Sequence, residues 1–188
     1  MVSDDPVVLS KTRDARLLGV EKDSSKRALN QRSWSFQVNE QGWRYHMSNL
    51  MAAIGIVQLG RFEFLARKRV HLAETYLRLL QPFCGKKGII VPVHSQLDEC
   101  VPHIFPIRVK GMNYRDRLLQ YMKQHGVELG LHYQPNHLLS LYRNKRASHL
   151  NITEKIYPEL LSLPPDLSED DCDLIVKHLM EGLSLFSV

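Results

Sequence analysis

Gly42-Trp43-Arg44-Tyr45-His46-Met47-Ser48-Asn49-Leu50-Met51-Ala52-Ala53-Ile54-Gly55-Ile56-Val57-Gln58-Leu59 changes character halfway along. Its first five residues are aromatic, basic or hydrogen-bonding, the side chains that line a site. From Met47 onward the spacing of Met47, Leu50, Ile54, Val57 and Phe62 is three to four residues, one face of a helix. Ser48 is placed to cap that helix, although Met51 cannot supply the acid of a capping box. A polar loop leading into a long apolar helix describes a functional loop braced by a rigid element. The helical pattern runs on through Phe62, Leu65, Leu72, Tyr76 and Leu79 to about Leu80, where Pro82 ends it and Gly60 offers a bend. Some thirty residues is long for a globular helix, so a break or an interface is expected.

Before this stretch, residues 7–19 read as a short amphipathic helix closed by Gly19, with Val8, Thr12, Ala15 and Leu18 on one side. Residues 21–31 are polar and without period, hence a loop. Residues 33–38 alternate in the two-residue period of a strand. That is too little to make a core. After it, Ile89-Ile90-Val91 reads as a brief strand, and residues 103–109 alternate again, with Pro106 arguing for an edge position. Residues 114–125 form a helix with Leu118, Leu119 and Met122 inward, closed by Gly126. Residues 127–131 read as a short strand, and residues 152–161 as a short helix interrupted at Pro158. Ser168 caps the last helix, whose first turn carries Glu169, Asp170 and Asp171. Short strands interleaved with helices predict a small α+β domain with helices on one face of its sheet.

Composition excludes several classes. With 44% hydrophobic and 24% charged residues in 188, the chain is long and apolar enough for one sizeable core. No apolar run approaches the roughly 20 residues needed to span a bilayer, and the first residues lack the pattern of a secretory signal. No membrane partner and a cytoplasmic location are expected. The net charge of +5 is scattered rather than massed, which argues against nucleic acid as a partner. Cys84, Cys100 and Cys172 are odd in number and far apart, so neither a disulfide framework nor a zinc knuckle is expected.

Phosphate-binding loops, dinucleotide fingerprints, GxSxG and HExxH are all missing. The best remaining candidate is the loop His132-Tyr133-Gln134-Pro135-Asn136-His137. It offers donors, an aromatic face and a fixed turn, suited to a polar ligand such as a sugar. His132 and His137 are five apart around Pro135, which is not a metal pair, so no metal ligand set is assigned. Arg44 either clamps a phosphate or carboxylate by a bidentate contact or packs on Trp43 or Tyr45. Trp34 and Trp43 serve as core, interface or ring-stacking residues.

Four segments, in order, resemble the DegT/DnrJ/StrS family of pyridoxal-phosphate-dependent sugar aminotransferases. Met1-Val2-Ser3-Asp4-Asp5 and the helix after it resemble the segment that follows the family's lysine-bearing loop. Residues 42–49 with 52–59 resemble its Gly-Tyr-Asn-Tyr-Arg-Met-Ser-Asp signature and helix. Gly130-Leu131-His132-Tyr133-Gln134-Pro135 resembles its Gly-x-His-Tyr-x-Pro loop, and Leu160-Leu161-Ser162-Leu163-Pro164 with residues 167–171 its closing segment. The resemblance implies the small C-terminal domain of an aspartate-aminotransferase-like (fold type I) enzyme over residues 46–188, with residues 1–45 a remnant of the large domain. It implies pyridoxal phosphate as cofactor of the complete enzyme, and a nucleotide-sugar substrate in amino-sugar or polysaccharide biosynthesis.

In that family the Schiff-base lysine precedes the segment with which this chain begins. The aromatic residue that stacks on the cofactor ring and the carboxylate that pairs with its pyridine nitrogen likewise have no counterpart among residues 1–188. Lys11 and Lys22 lie downstream of the lysine's position. No catalytic residue is therefore assigned, and the isolated chain is expected neither to hold the cofactor nor to transaminate. Arg44 stands where the family's Asn reaches the cofactor phosphate of the neighbouring subunit, which gives Arg44 a cofactor-binding assignment. His132, Tyr133, His137 and Trp34 are assigned to the substrate. The expected partners are a second copy of the chain or a missing large domain. Two alternatives stand beside this reading: a non-catalytic binding or dimerisation module, and a pyridoxal-phosphate-dependent sugar dehydratase. Without a large domain to pack on, Trp34, Phe36 and Val38 should be exposed and the chain should self-associate.

Overall fold

Asp5 and Pro6 start the first helix by complementary means. The Asp5 carboxylate accepts from the Val7 and Val8 N–H groups at 2.8 and 3.5 Å, and Pro6 sits where no N–H is missed. In the computed structural model, which describes residues 3–31, 35–85, 88–92, 97, 100–142 and 150–186, this helix is α1 (Pro6–Ala15). The chain divides into two compact units, Met1–Gly60 and Arg61–Val188.

The first unit holds α1, α2 (Asp23–Ala28) and α3 (Asn49–Gly60). Helix α1 ends earlier than Gly19, and none of its residues is buried. The stretch expected to be loop contains α2. The expected strand over 33–38 is reduced to an isolated bridge between Val38 and Val20; Ser33 and Trp34 lie outside the described residues. Phe36 and Val38 are exposed, as expected of residues without a sheet to cover them. What orders this unit is a close backbone crossing. A Cβ on Gly42 would collide with the Gly19 nitrogen, and one on Gly19 with the Glu40 carbonyl. Gly19 also takes φ +73°, which suits glycine.

Of the expected stripe, Leu50, Ile54 and Val57 lie on α3 and Phe62 starts the next helix, while Met47 precedes α3; each of these residues is exposed. The single long helix expected through Leu80 is two helices. Arg61, at φ −96° and ψ −2°, separates α3 from α4 (Phe62–Leu80). Only α4 has an inward face, of Leu72, Ala73, Thr75, Tyr76 and Leu80.

The second unit is α+β. Its sheet has the order β1 (Ile89–Ile90), β2 (Phe105–Val109), β3 (Leu160–Leu163), antiparallel throughout. Phe105, Ile107 and Val109 are buried and alternate with half-buried Pro106 and Arg108, so one face of β2 carries the core. Pro106 lies on the central strand, not an edge. Ser162 opposite it gives both its N–H and its carbonyl to Gly130, at 2.8 Å each, so the Pro106–Ser162 pair is of the non-hydrogen-bonded kind. On the other side β1 pairs only with Arg108 and Val109. The missing N–H of Pro106 therefore interrupts no ladder.

Residues 127–131 contribute one bridge, Gly130 to Ser162, rather than a strand. Leu160 and Leu161, expected to end a helix, open β3 instead: Pro158 closes α6 (Asn151–Ile156) through a 3-10 turn, and the apolar run behind it pairs with β2. Helix α5 (Arg115–Gln124) turns Leu118 and Met122 inward, and Gly126 follows at φ +78°. Helix α7 (Glu169–Phe186) is capped reciprocally. Ser168 Oγ accepts from the Asp171 N–H at 3.2 Å, and the Asp171 carboxylate accepts from the Ser168 N–H at 3.1 Å. The Ser168 hydroxyl also donates to the Asp171 carboxylate at 2.5 Å, and this bond, with that from the Ser168 N–H, holds the Asp171 carboxyl below its usual value. Helix α7 packs on both α4 and α5, and Gly182 permits this approach: a Cβ there would meet Leu118 Cδ1 at 2.7 Å and Tyr121 Cδ1 at 2.9 Å. Burial pushes the Tyr76 hydroxyl pKa up, and the group donates to the Pro164 carbonyl at 3.0 Å.

The fold's one buried carboxylate among the described residues is Glu159. It accepts from the Gly111 N–H at 2.7 Å and from Arg108 Nε at 2.6 Å, tying the turn after β2 to the start of β3. Burial alone would raise its pKa. The Gly111 and Arg108 hydrogen bonds outweigh that and hold the carboxyl below its usual value. No single helix among the described residues is long and apolar enough to cross a membrane.

Candidate functional site

In the first unit, residues 43–45 run beside residues 15–18. The Trp43 N–H donates to the Ala15 carbonyl at 2.7 Å, the Leu18 N–H to the Trp43 carbonyl at 3.0 Å, and the Tyr45 N–H to the Arg16 carbonyl at 2.9 Å. This pairing bridges Leu17 and Arg44 and fixes which way each side chain leaves the backbone. In an extended segment alternate residues share a side. Trp43 and Tyr45 accordingly stack on each other, ring centres 6.3 Å apart and planes 8° from parallel. Arg44 has no ion pair or ring contact among the described residues, and its guanidinium is exposed. Of the two uses open to it, packing on Trp43 or Tyr45 is not the one seen.

In the second unit, Gly130 is clamped to Ser162, and the imidazole of His132 folds back over it. A Cβ at Gly130 would lie 2.5 Å from His132 Cε1 and 3.0 Å from Nδ1. Only glycine leaves room for that ring. His132 Nδ1 is buried and has no hydrogen-bond partner, which marks a polar atom waiting for one. Its ring meets that of Tyr133 edge-on at 4.7 Å, while Tyr133 itself is 70% exposed. His137 sits in the 3-10 turn Asn136–Leu138, and its Nε2 is 3.1 Å from the Glu154 carboxylate on α6. That contact makes His137 a tie for the loop. Trp34 lies outside the described residues. The structure thus brings His132, Tyr133 and His137 into one loop of the second unit, and places Arg44 in the first.

Sequence reasoning passed over Gly130 as a requirement for His132, and over the Glu154 partner of His137. The first had a signal in the spacing, a glycine two residues before the histidine. The second depends on tertiary placement and had none.

Pyridoxal phosphate asks for a phosphate clamp, a carboxylate at the pyridine nitrogen and an amine to carry the aldehyde carbon. The free guanidinium of Arg44 fits the first of these. For the third, Lys11 fails: its Nζ is paired with Glu40 at 2.8 Å, and that hydrogen bond raises its pKa, which keeps the amine as a non-nucleophilic ammonium. Arg44 offers chemistry suited to the phosphate end of the cofactor, and Lys11 offers none suited to its reactive end.

The sequence profile of the DegT/DnrJ/EryC1/StrS aminotransferase family matches residues 1–180. The uncharacterized protein MJ1066 of Methanocaldococcus jannaschii is 27% identical over 98% of this chain and 49% of its own length. Among solved structures, the aminotransferase TlmJ from Streptoalloteichus hindustanus is 26% identical with a TM-score of 0.76, over 97% of this chain and 46% of its own. Helicobacter pylori PseC, an aminotransferase involved in the biosynthesis of pseudoaminic acid, shares the fold at a TM-score of 0.80 and 21% identity, over 98% of this chain and 48% of its own. The chain spans about half the length of these relatives.

Proposed function

Because the chain belongs to the DegT/DnrJ/EryC1/StrS aminotransferase family, matched over residues 1–180, we propose that it supplies the small domain and the phosphate-contacting loop of a nucleotide-sugar aminotransferase. On this reading residues 46–188 are the small domain and residues 1–45 the tail of the large one. Pyridoxal phosphate, when bound, supplies the electron sink through which an amino group passes from donor to sugar. This chain's residues bind and orient. The observation that carries the reading is Arg44: a guanidinium without a partner, aimed by a three-bond backbone ladder, at the position where the family signature has its phosphate contact. The His132 loop serves the sugar, with the unpartnered Nδ1 accepting from or donating to a hydroxyl and Tyr133 offering its exposed ring. His137 acts through Glu154 by holding that loop.

Residues 1–188 alone do not transaminate on this reading. Incubation with pyridoxal phosphate followed by borohydride and intact-mass measurement is expected to show no attached cofactor. An adduct on this chain would overturn the assignment. When the chain is joined to a lysine-bearing large domain of a family member, cofactor retention should return. Arg44→Ala in that assembly should then weaken retention by about tenfold or more, the size of a charge-assisted hydrogen bond of about 1.5–3 kcal/mol. Unchanged retention would remove Arg44 from the phosphate site.

A further inference from the structure

Away from both loops, α5 and α7 bring two imidazoles together. His125, at the C-cap of α5, and His178 on α7 have ring centres 4.6 Å apart and planes 41° from parallel. Each is held from behind. His125 Nδ1 is 2.9 Å from the Tyr121 carbonyl. A carbonyl can only accept, so Nδ1 carries the proton and Nε2 the lone pair. His178 Nδ1 is 3.0 Å from the Glu181 carboxylate, which likewise accepts. The Tyr121 hydroxyl donates to the same Glu181 oxygen at 3.3 Å, and the Tyr121 ring lies 4.2 Å from that of His125. The four residues close a ring of contacts that leaves both Nε2 atoms without a partner among the described residues.

We propose that His125 and His178 form a two-imidazole binding site for a divalent first-row transition-metal ion such as Zn2+ or Ni2+. Imidazole ligands suit these ions. The backing of each Nδ1–H by a carbonyl or a carboxylate is the arrangement that fixes the tautomer and raises the basicity of metal-binding histidines. With Zn–N bonds of about 2.0–2.1 Å, two nitrogens on one tetrahedral ion stand about 3.4 Å apart. Ring centres 4.6 Å apart put the two imidazoles within the span of a single ion. Among the described residues no group of three or more His, Cys, Asp or Glu side chains is arranged to hold an ion, so water fills the remaining positions. The charged groups around the pair are mixed: Glu181 and the C-terminal end of α5 are negative, and exposed Lys123 in the last turn of α5 and Lys177 beside His178 are positive. The ion would staple α5 to α7 on the side of the second unit where Tyr121 and Gly182 already pack.

The test is calorimetric titration of the metal-free full chain with ZnCl2 and with NiCl2. One saturable site is expected, abolished by His125→Ala and by His178→Ala, and weakened about tenfold by Glu181→Gln, as removal of a ligand's backing group does. Far-UV circular dichroism of each variant, with His178→Gln as a second substitution, separates loss of binding from loss of fold. On the unmodified chain, Zn2+ should shift the Nε2 resonances of these two histidines in side-chain 15N spectra while both Nδ1–H protons stay. No saturable binding, or binding that survives either histidine substitution, would overturn the site and leave a stacked neutral pair.

Discussion

Leu50 and Leu179 are the same side chain on two helices of opposite circumstance, 80% exposed on α3 and fully buried on α7. The contrast runs against composition. Helix α3 has no charged residue at all, whereas α7 carries Glu169, Asp170, Asp171, Asp173, Lys177 and Glu181. Yet α3 buries nothing, and α7 buries seven residues. The difference lies in arrangement. In α7 Cys172, Ile175, Val176, Leu179 and Leu183 share one stripe that α4, α5 and the sheet cover, with the charges opposite. A helix apolar on all sides, such as α3, is ordinarily enclosed on all sides, yet none of its residues is buried. Every buried hydrophobic residue of the described chain lies between Leu72 and Leu183.

The largest test of that contrast is paired truncation. Leu179→Ala should cost about 2–5 kcal/mol in urea unfolding, because the site is sealed and its removal leaves a cavity. Leu50→Ala should cost a small fraction of this, and equal losses would break the comparison. Next comes Glu159→Gln, expected to cost about 1–3 kcal/mol by weakening the only hold on the Gly111 N–H. The sign of its pH dependence follows from its depressed pKa. Folded Glu159 binds its proton less readily than unfolded, so its contribution is complete above the unfolded carboxyl value of about 4.3 and fades as pH falls through the lower folded one. Wild type and Glu159→Gln should therefore converge in acid, and a gap that widened there would contradict the assignment.

Gly182→Ala tests the α5–α7 contact itself. Alanine gains up to about 1 kcal/mol in helix propensity over glycine. Its Cβ would press on Leu118 and Tyr121 at 2.7 and 2.9 Å. Overpacking of this kind costs about 1–3 kcal/mol, so net destabilisation is expected. A more stable variant would show that α5 and α7 separate freely. Ser168→Ala should cost about 1 kcal/mol by uncapping α7, read from the same unfolding curves.

How much was legible in the sequence divides along the same line. Helices α5 and α7 were readable because their stop and start chemistry is local: Gly126 after one, Ser168 and three acids before the other. Leu160 and Leu161 were misread because apolar residues shortly after a proline fit a helix end as well as a strand, and only pairing with β2 decides. Pro106 pointed to an edge because proline lacks a donor. That the central strand has a place needing no donor follows from how Ser162 spends its own hydrogen bonds on Gly130. The break at Arg61 has no proline to announce it; excessive length and Gly60 pointed to it, one residue early. At the site, the family motifs located both loops. The unpartnered Nδ1 of His132 and the Glu154 hold on His137 depend on packing that no local pattern encodes.

The smallest expected effect on stability bears most directly on α3. Leu50→Gln replaces an exposed apolar side chain with a polar one of similar length, and folding should change by no more than about 0.5 kcal/mol. Association should change more. Leu50, Met51, Ile54, Ile56, Val57 and Leu59 are all more than half exposed on one twelve-residue helix, an apolar surface that isolated soluble chains rarely leave in water. Sedimentation of the wild-type chain should then show self-association that Leu50→Gln with Ile54→Gln reduces, at unchanged urea midpoint. If association persists unaltered, the apolar helix is not the surface responsible. If instead the unfolding free energy falls by several kcal/mol, α3 is buried in solution, and the distinction between Leu50 and Leu179 disappears.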